Sequence, residues 1–157
     1  MTSTAPSTAL TSLQTGHVAL NVTDLARSQT FYEKVLGLNE LSRGDDGDRH
    51  WAFLGRDGRI VITLFQQSSG RFDTASPGLH HLSFQVEGLE QVQEAERVVR
   101  ELGATVFHDG IAAHAEGADS GGLFFADPDG IRLEIYAPTG VAGSPAPSGE
   151  APTCGFF

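Results

Sequence analysis

Two short segments of the chain alternate strictly between apolar and polar positions. In GHVALNV, residues 16–22, Val18, Leu20 and Val22 are interleaved with His17, Ala19 and Asn21. In HHLSFQV, residues 80–86, Leu82, Phe84 and Val86 are interleaved with His81, Ser83 and Gln85. A period of two is the signature of a strand with one covered face. A helical pattern follows each segment. In the first, Asp24 is placed to cap, Leu25, Ser28, Phe31/Tyr32 and Val35/Leu36 form the stripe, and Gly37 ends it. In the second, the stripe is Leu89, Val92, Ala95/Glu96, Val99 and Leu102, ended by Gly103. Shorter strand-like pieces come next: HWAFLG (50–55) and RIVITLF (59–65) around Asp57-Gly58, then GLFFAD (122–127) and IRLEIY (131–136) around Asp129-Gly130. Asp-Gly is a hairpin-turn signal. Each half therefore reads strand, helix, then about three strands, and the chain is an internally repeated α+β protein whose halves close a sheet around a shared cavity.

The two ends lack any such period. Residues 1–13 are rich in Ser, Thr, Ala and Pro, and residues 138–155 in Pro, Gly, Ser and Ala. Such segments bury too little apolar area to offset the entropy of ordering them. This gives a disordered N-terminal tail at 1–13, a folded domain at 14–137 with modules at about 14–70 and 78–137, and a flexible tail at 138–157. The Cys-Gly-Phe-Phe ending, 154–157, is the one apolar feature of that tail.

A formal net charge of -10, with no run of Lys or Arg, excludes nucleic acid and anionic membrane as partners and points to a small molecule. The single cysteine, Cys154, allows no internal disulfide. Without a basic, apolar leader pattern near residue 1, or an apolar run of roughly 18 residues, the expected setting is the cytoplasm.

The face of the strands that turns away from the helices carries the candidate chemistry. His17 and His81 hold equivalent places at the start of the two opening strands. On the last strand, Ile131, Leu133 and Ile135 are apolar, while Arg132, Glu134 and Tyr136 share the other face; the first-half counterpart has Val61, Thr63 and Phe65 there. A polar face by itself is what a wet antiparallel sheet looks like. Two histidines and a glutamate at corresponding positions of a repeat go further, because pseudo-symmetry brings them to one cavity. Imidazole with carboxylate suits Fe(II), Mn, Co, Ni or Zn.

GHVALNVTDLARSQTFYEKVLGL resembles the opening of a half-domain of the vicinal oxygen chelate superfamily, and GLHHLSFQV and FFADPDGIRLEIY resemble its second half. The likeness covers residues 16–137. It implies a pair of βαβββ modules forming an incomplete barrel around a metal site. Carried over one at a time, its metal positions fall on His17, on His81 (in phase with His17, unlike His80) and on Glu134. The fourth ligand position of glyoxalase I falls on Thr63, a poor ligand, so the three-ligand set is closer to extradiol dioxygenases and fosfomycin enzymes. Two departures remain: Phe124 stands where both of those groups carry a tyrosine, and Ala19 where the fosfomycin enzymes carry a threonine. Extradiol members add a catalytic histidine, for which His50, His108 and His114 are the candidates.

The resemblance thus implies a metal-dependent enzyme that chelates vicinal oxygens of a small molecule, foremost an Fe(II) extradiol-type dioxygenase. The alternatives are a glyoxalase- or epimerase-like isomerase or lyase, and a metal-free drug-binding resistance protein. Tyr136 is the candidate catalytic side chain beside Glu134, with barrel filling as its other role. Arg132 could meet an anionic group of the substrate, or Glu134, or solvent. His80 reads as a strand-end residue facing away. Trp51, Phe53 and Phe65 read as core or as an apolar wall. Open strand edges, and the family's habit of pairing halves within or between chains, imply a homodimer.

Overall fold

The computed structural model describes residues 10–157. The repeat is realised as two four-stranded sheets, each with one helix. The first module runs β1 (Val18–Val22), α1 (Leu25–Leu36), β2 (Asn39–Asp46), β3 (Arg49–Arg56) and β4 (Arg59–Gln66), in the sheet order β1-β4-β3-β2. The second runs β5 (Leu82–Gln85), α2 (Leu89–Glu101), β6 (Ala112–Ala113), β7 (Gly121–Ala126) and β8 (Arg132–Ala137), in the order β5-β8-β7-β6. In both, the first strand lies parallel to the last and the rest are antiparallel. The described strands close no barrel.

The apolar period holds the elements where the sequence puts them. Leu20 and Val22 are buried while Ala19 and Asn21 are exposed. The Asp24 side chain accepts from the Arg27 amide at 3.0 Å, capping α1, and Gly37 ends that helix in the left-handed region at φ 62°. Helix α1 packs on β3 and β4, α2 packs on β7 and β8, and the helices touch each other. One continuous core results, running from Leu20, Phe31 and Leu64 to Val99, Phe125 and Leu133. Both sheets thus spend their apolar faces on the helices, and their other faces are left over for chemistry.

Asp57 (φ 52°) and Gly58 (φ 75°) make the two-residue turn between β3 and β4 that their dipeptide signals. The second Asp-Gly behaves differently. The Asp127 carboxylate accepts from the amides of Asp129 and Ile131, at 2.9 and 2.8 Å, so a five-residue loop replaces the tight hairpin. That loop is also the clasp between modules. The Tyr32 hydroxyl of α1 donates to Asp127 at 2.8 Å, and Thr23 and Arg27 donate to Asp129. Burial pushes the Tyr32 hydroxyl well above its ordinary pKa and raises Asp127 as well. Tyr32→Phe removes a buried donor from a carboxylate, a loss of about 2 kcal/mol. Urea unfolding should show it, and a change under about 0.5 kcal/mol would mean that the clasp contributes little.

Residues 138–152 contain no strand or helix, as their proline and glycine content dictates, and a short 3-10 turn covers Thr153–Gly155. The segment nevertheless lies packed along the second module, which differs from a tail that buries nothing. Val141 and Thr153 are buried, the Ala113 amide donates to the Pro145 carbonyl, and the Thr153 hydroxyl donates to the Ala113 carbonyl at 2.7 Å. Small residues spaced by turns supply backbone groups to the β6 edge, which composition alone does not reveal. The expectation for residues 1–13 lies mostly outside the described residues; Leu10 and Leu13 are exposed.

Candidate metal centre

Strand register places the carboxylate. Ser83 pairs with Glu134 across β5 and β8, and Ala19 pairs with Thr63 across β1 and β4, so Glu134 and Thr63 are true counterparts in the repeat. His81 stands two residues before Ser83 on the same face, and its Nε2 lies 3.2 Å from Glu134 Oε2. Glu134 is 3% exposed, and among the described residues its side-chain hydrogen-bond partners are imidazoles. The second of these is His114, in the loop after β6, whose Nε2 lies 2.5 Å from Oε1. His114 Nδ1 is 2.9 Å from the Ser120 hydroxyl. A carboxylate can only accept, so His114 Nε2 donates to Glu134, and the Ser120 hydroxyl, which can donate or accept, holds the other ring nitrogen.

The same logic applies to His81. Facing a carboxylate without metal, its Nε2 bears the hydrogen, and Nδ1 accepts from His80 Nδ1 at 2.9 Å. Withdrawal from water is the main influence on His81 and lowers its pKa from 6.5, against the opposing pull of Glu134. The ring is therefore neutral at pH 7, the form in which imidazole binds metals. His80 does not turn away from the site: β5 begins only at Leu82, so strand alternation does not reach residue 80.

His17 occupies the equivalent place in the first module, but on the other sheet. It is exposed. Among the described residues no group of three His, Cys, Asp or Glu side chains is positioned to hold a metal. One chain therefore brings His81 and Glu134 together without His17.

Around the pair, the Tyr136 ring packs on His114, with centroids 5.3 Å apart, and its hydroxyl donates to Gln85 at 2.8 Å. Gly122 is the cross-strand neighbour of Tyr136, and a Cβ there would lie 2.6 Å from the Tyr136 Cα. Phe124 is fully buried opposite Glu134 and offers no hydroxyl. Arg132 reaches the His80 carbonyl at 3.1 Å rather than Glu134. Cys154 lies near enough for the Glu134 charge to add to the burial that raises its thiol pKa. On the first sheet, Trp51, Phe53 and Phe65 line an open cleft of about 490 Å³ with His50, whose Nδ1 pairs with Asp45 at 2.6 Å. The Trp51 indole lies across Gly44, where any Cβ would collide with it. The Thr63 hydroxyl is buried without a partner.

Of the candidates named from sequence, the structure gathers His81, Glu134 and Tyr136 on one face and sets His17 and Thr63 on the other sheet. His114 had no rank among three candidate histidines, because it sits in a loop outside any period. No helix among the described residues is long and apolar enough to cross a membrane.

The sequence model of the glyoxalase/bleomycin resistance protein/dioxygenase superfamily matches residues 14–135. Over 125 residues the chain is 26% identical to the catechol-2,3-dioxygenase of Bacillus subtilis (strain 168), a match covering 78% of this chain but 40% of that protein. It therefore spans less than half the length of that relative. It is 29% identical over 125 residues to a lactoylglutathione lyase of Neisseria meningitidis, covering 76% of this chain and 86% of that one. Among solved structures, a glyoxylase/bleomycin resistance protein/dioxygenase domain from Frankia sp. EAN1pec superposes with a TM-score of 0.68 at 30% identity, over 80% of this chain and 91% of that one.

Proposed function

The chain belongs to the glyoxalase/bleomycin resistance protein/dioxygenase superfamily, and we propose that it is a divalent-metal enzyme that chelates two vicinal oxygens of a small molecule, acting as an Fe(II) extradiol-type dioxygenase. That superfamily is one of metal-dependent vicinal oxygen chelate enzymes. The observation that carries the reading is the buried Glu134 carboxylate on β8 facing Nε2 of His81, the residue just before the parallel neighbour β5. A buried carboxylate whose side-chain partners are imidazoles fits a borderline metal ion such as Fe(II), with Mn, Ni, Co or Zn as the other occupants.

In this proposal His81, Glu134 and His17 hold the metal, with His17 supplied by the first module of a second copy in a homodimer. Its exposure, and its place on a different sheet from His81 and Glu134, support that arrangement. The bound ion supplies Lewis-acid polarisation of the substrate oxygens and keeps open positions for a further ligand. The chain's own groups do the rest. Were His81 to hold the ion through Nε2, its remaining N–H would lie on Nδ1, where His80 stands ready to accept it and fix the ring. His114 holds Glu134 through its Nε2 proton and draws on Ser120 behind it. Tyr136, packed at a tilt on His114 with its hydroxyl on Gln85, is placed to orient a substrate. A cytoplasmic setting completes the proposal.

Oxygen uptake by anaerobically Fe(II)-loaded protein on addition of catechols tests the reaction. Uptake lost on chelation is the expected result. Metal binding without uptake, together with isomerisation of a hemithioacetal, would favour a lyase instead. The lactoylglutathione lyase match, which takes in most of that protein, speaks for this second reading, and Thr63 in place of a fourth acidic ligand speaks against it. Because burial holds His81 below 6.5, its metal affinity should be flat above neutrality and should fall only in acid, as the proton competes for Nε2.

A further inference from the structure

We propose that the recess occupied by Phe157 is a ligand subsite for an aromatic ring with an adjacent anionic oxygen, which the chain fills with its own residue. Five rings enclose the Phe157 phenyl group. Its centroid lies 4.9 Å from Phe124, 5.3 Å from Phe107, 5.5 Å from His81, 6.0 Å from His80 and 6.2 Å from His108. The Arg132 guanidinium carbon sits 5.3 Å from the same centroid, and its Nη1 donates to the Phe157 carbonyl oxygen. The recess therefore pairs an aromatic wall with a cation that grips an oxygen beside the ring. His108 Nε2 is buried in that wall with no hydrogen-bond partner, a second donor or acceptor left for something other than phenylalanine.

Occupation is selective. Phe156 is 65% exposed while Phe157 is seated, so the aromatic pair is not simply collapsing on the nearest apolar surface. The arm has its own anchor, with the Thr153 amide donating to the His114 carbonyl and the Thr153 hydroxyl to the Ala113 carbonyl. Those two carbonyls adjoin the side chain that holds Glu134. Seat and anchor thus flank the His81–Glu134 pair, and a ring in the seat lies against His81. The inference rests on the metal-site reading for the idea that this ligand is the substrate, but the subsite itself exists without metal.

The test is binding of 3-phenylpropanoate to the full chain kept metal-free with EDTA, read by calorimetry and by the ring proton shifts of the histidines. Emptying the seat with Phe157→Ala should tighten binding about 10-fold or more, the worth of one displaced phenyl group. Phe156→Ala should change nothing. Thr153→Val, which loosens the arm but keeps Phe157, should give a smaller gain. Adding Arg132→Gln to Phe157→Ala should abolish the gain for 3-phenylpropanoate and spare the neutral alcohol 3-phenylpropanol. Equal affinity of the parent and Phe157→Ala, including no measurable binding by either, overturns the subsite, as does an equal gain from Phe156→Ala. Metal content of the parent chain is a separate reading: a parent that binds no divalent ion would count against the metal site and leave the subsite result standing.

Discussion

Glu134→Ala should abolish tight divalent-metal binding, weakening it by about 100-fold or more, beyond the effect of removing a residue that merely supports a ligand. The reason is geometric. Glu134 is the one carboxylate on the face of β8 turned away from α2, it is almost fully buried, and both imidazoles near it aim Nε2 at its oxygens. Removing it leaves the imidazoles without an anion to offset a cation's charge. His81→Ala should act as strongly, by deleting the neighbouring nitrogen donor. Glu134→Gln keeps the shape and one acceptor oxygen but turns the other into an NH2 donor, so it separates loss of the anionic oxygens from loss of packing. Equilibrium dialysis followed by elemental analysis reads the outcome. Unchanged metal content in Glu134→Ala and His81→Ala, with both folded, would remove the pair from any metal site.

The part of this site that was legible in the sequence is the part governed by period. Alternation within the strands themselves, 18–22 and 82–85, shows which side chains share a face, and the registers Ala19 with Thr63 and Ser83 with Glu134 follow it. Asp24 and Gly37 bounded α1 because capping chemistry is local. Where structure depends on distant partners, the sequence was mute. Strand β2, NELSRGDD, is a polar edge strand with no covered face, so it carries no alternation. The five-residue Asp127 loop rests on side-chain bonds to its own backbone and on Tyr32, and the Asp-Gly pair hid it. His80 escaped because alternation was extended past the end of its strand. His114 reaches Glu134 from a loop, and the docking of residues 138–157 depends on backbone groups of β6, neither of which leaves a mark in composition.

The most direct test of a site shared between copies is complementation by mixing. A His17→Ala chain keeps His81 and Glu134, and a Glu134→Ala chain keeps His17. If the first module of one copy completes the second module of another, each mixed pair holds one intact site and one doubly broken site. Random exchange makes about half the dimers mixed, so about a quarter of the sites should be whole. The measurement is tight metal bound per chain after co-refolding the two variants, with light scattering confirming dimers and differently tagged chains confirming mixed ones. Recovery to about a quarter of the parent value, from near zero in either variant alone, is the expected result. Mixed dimers that recover no metal, or a His17→Ala protein that binds metal as well as the parent, would contradict a composite centre built from His17, His81 and Glu134.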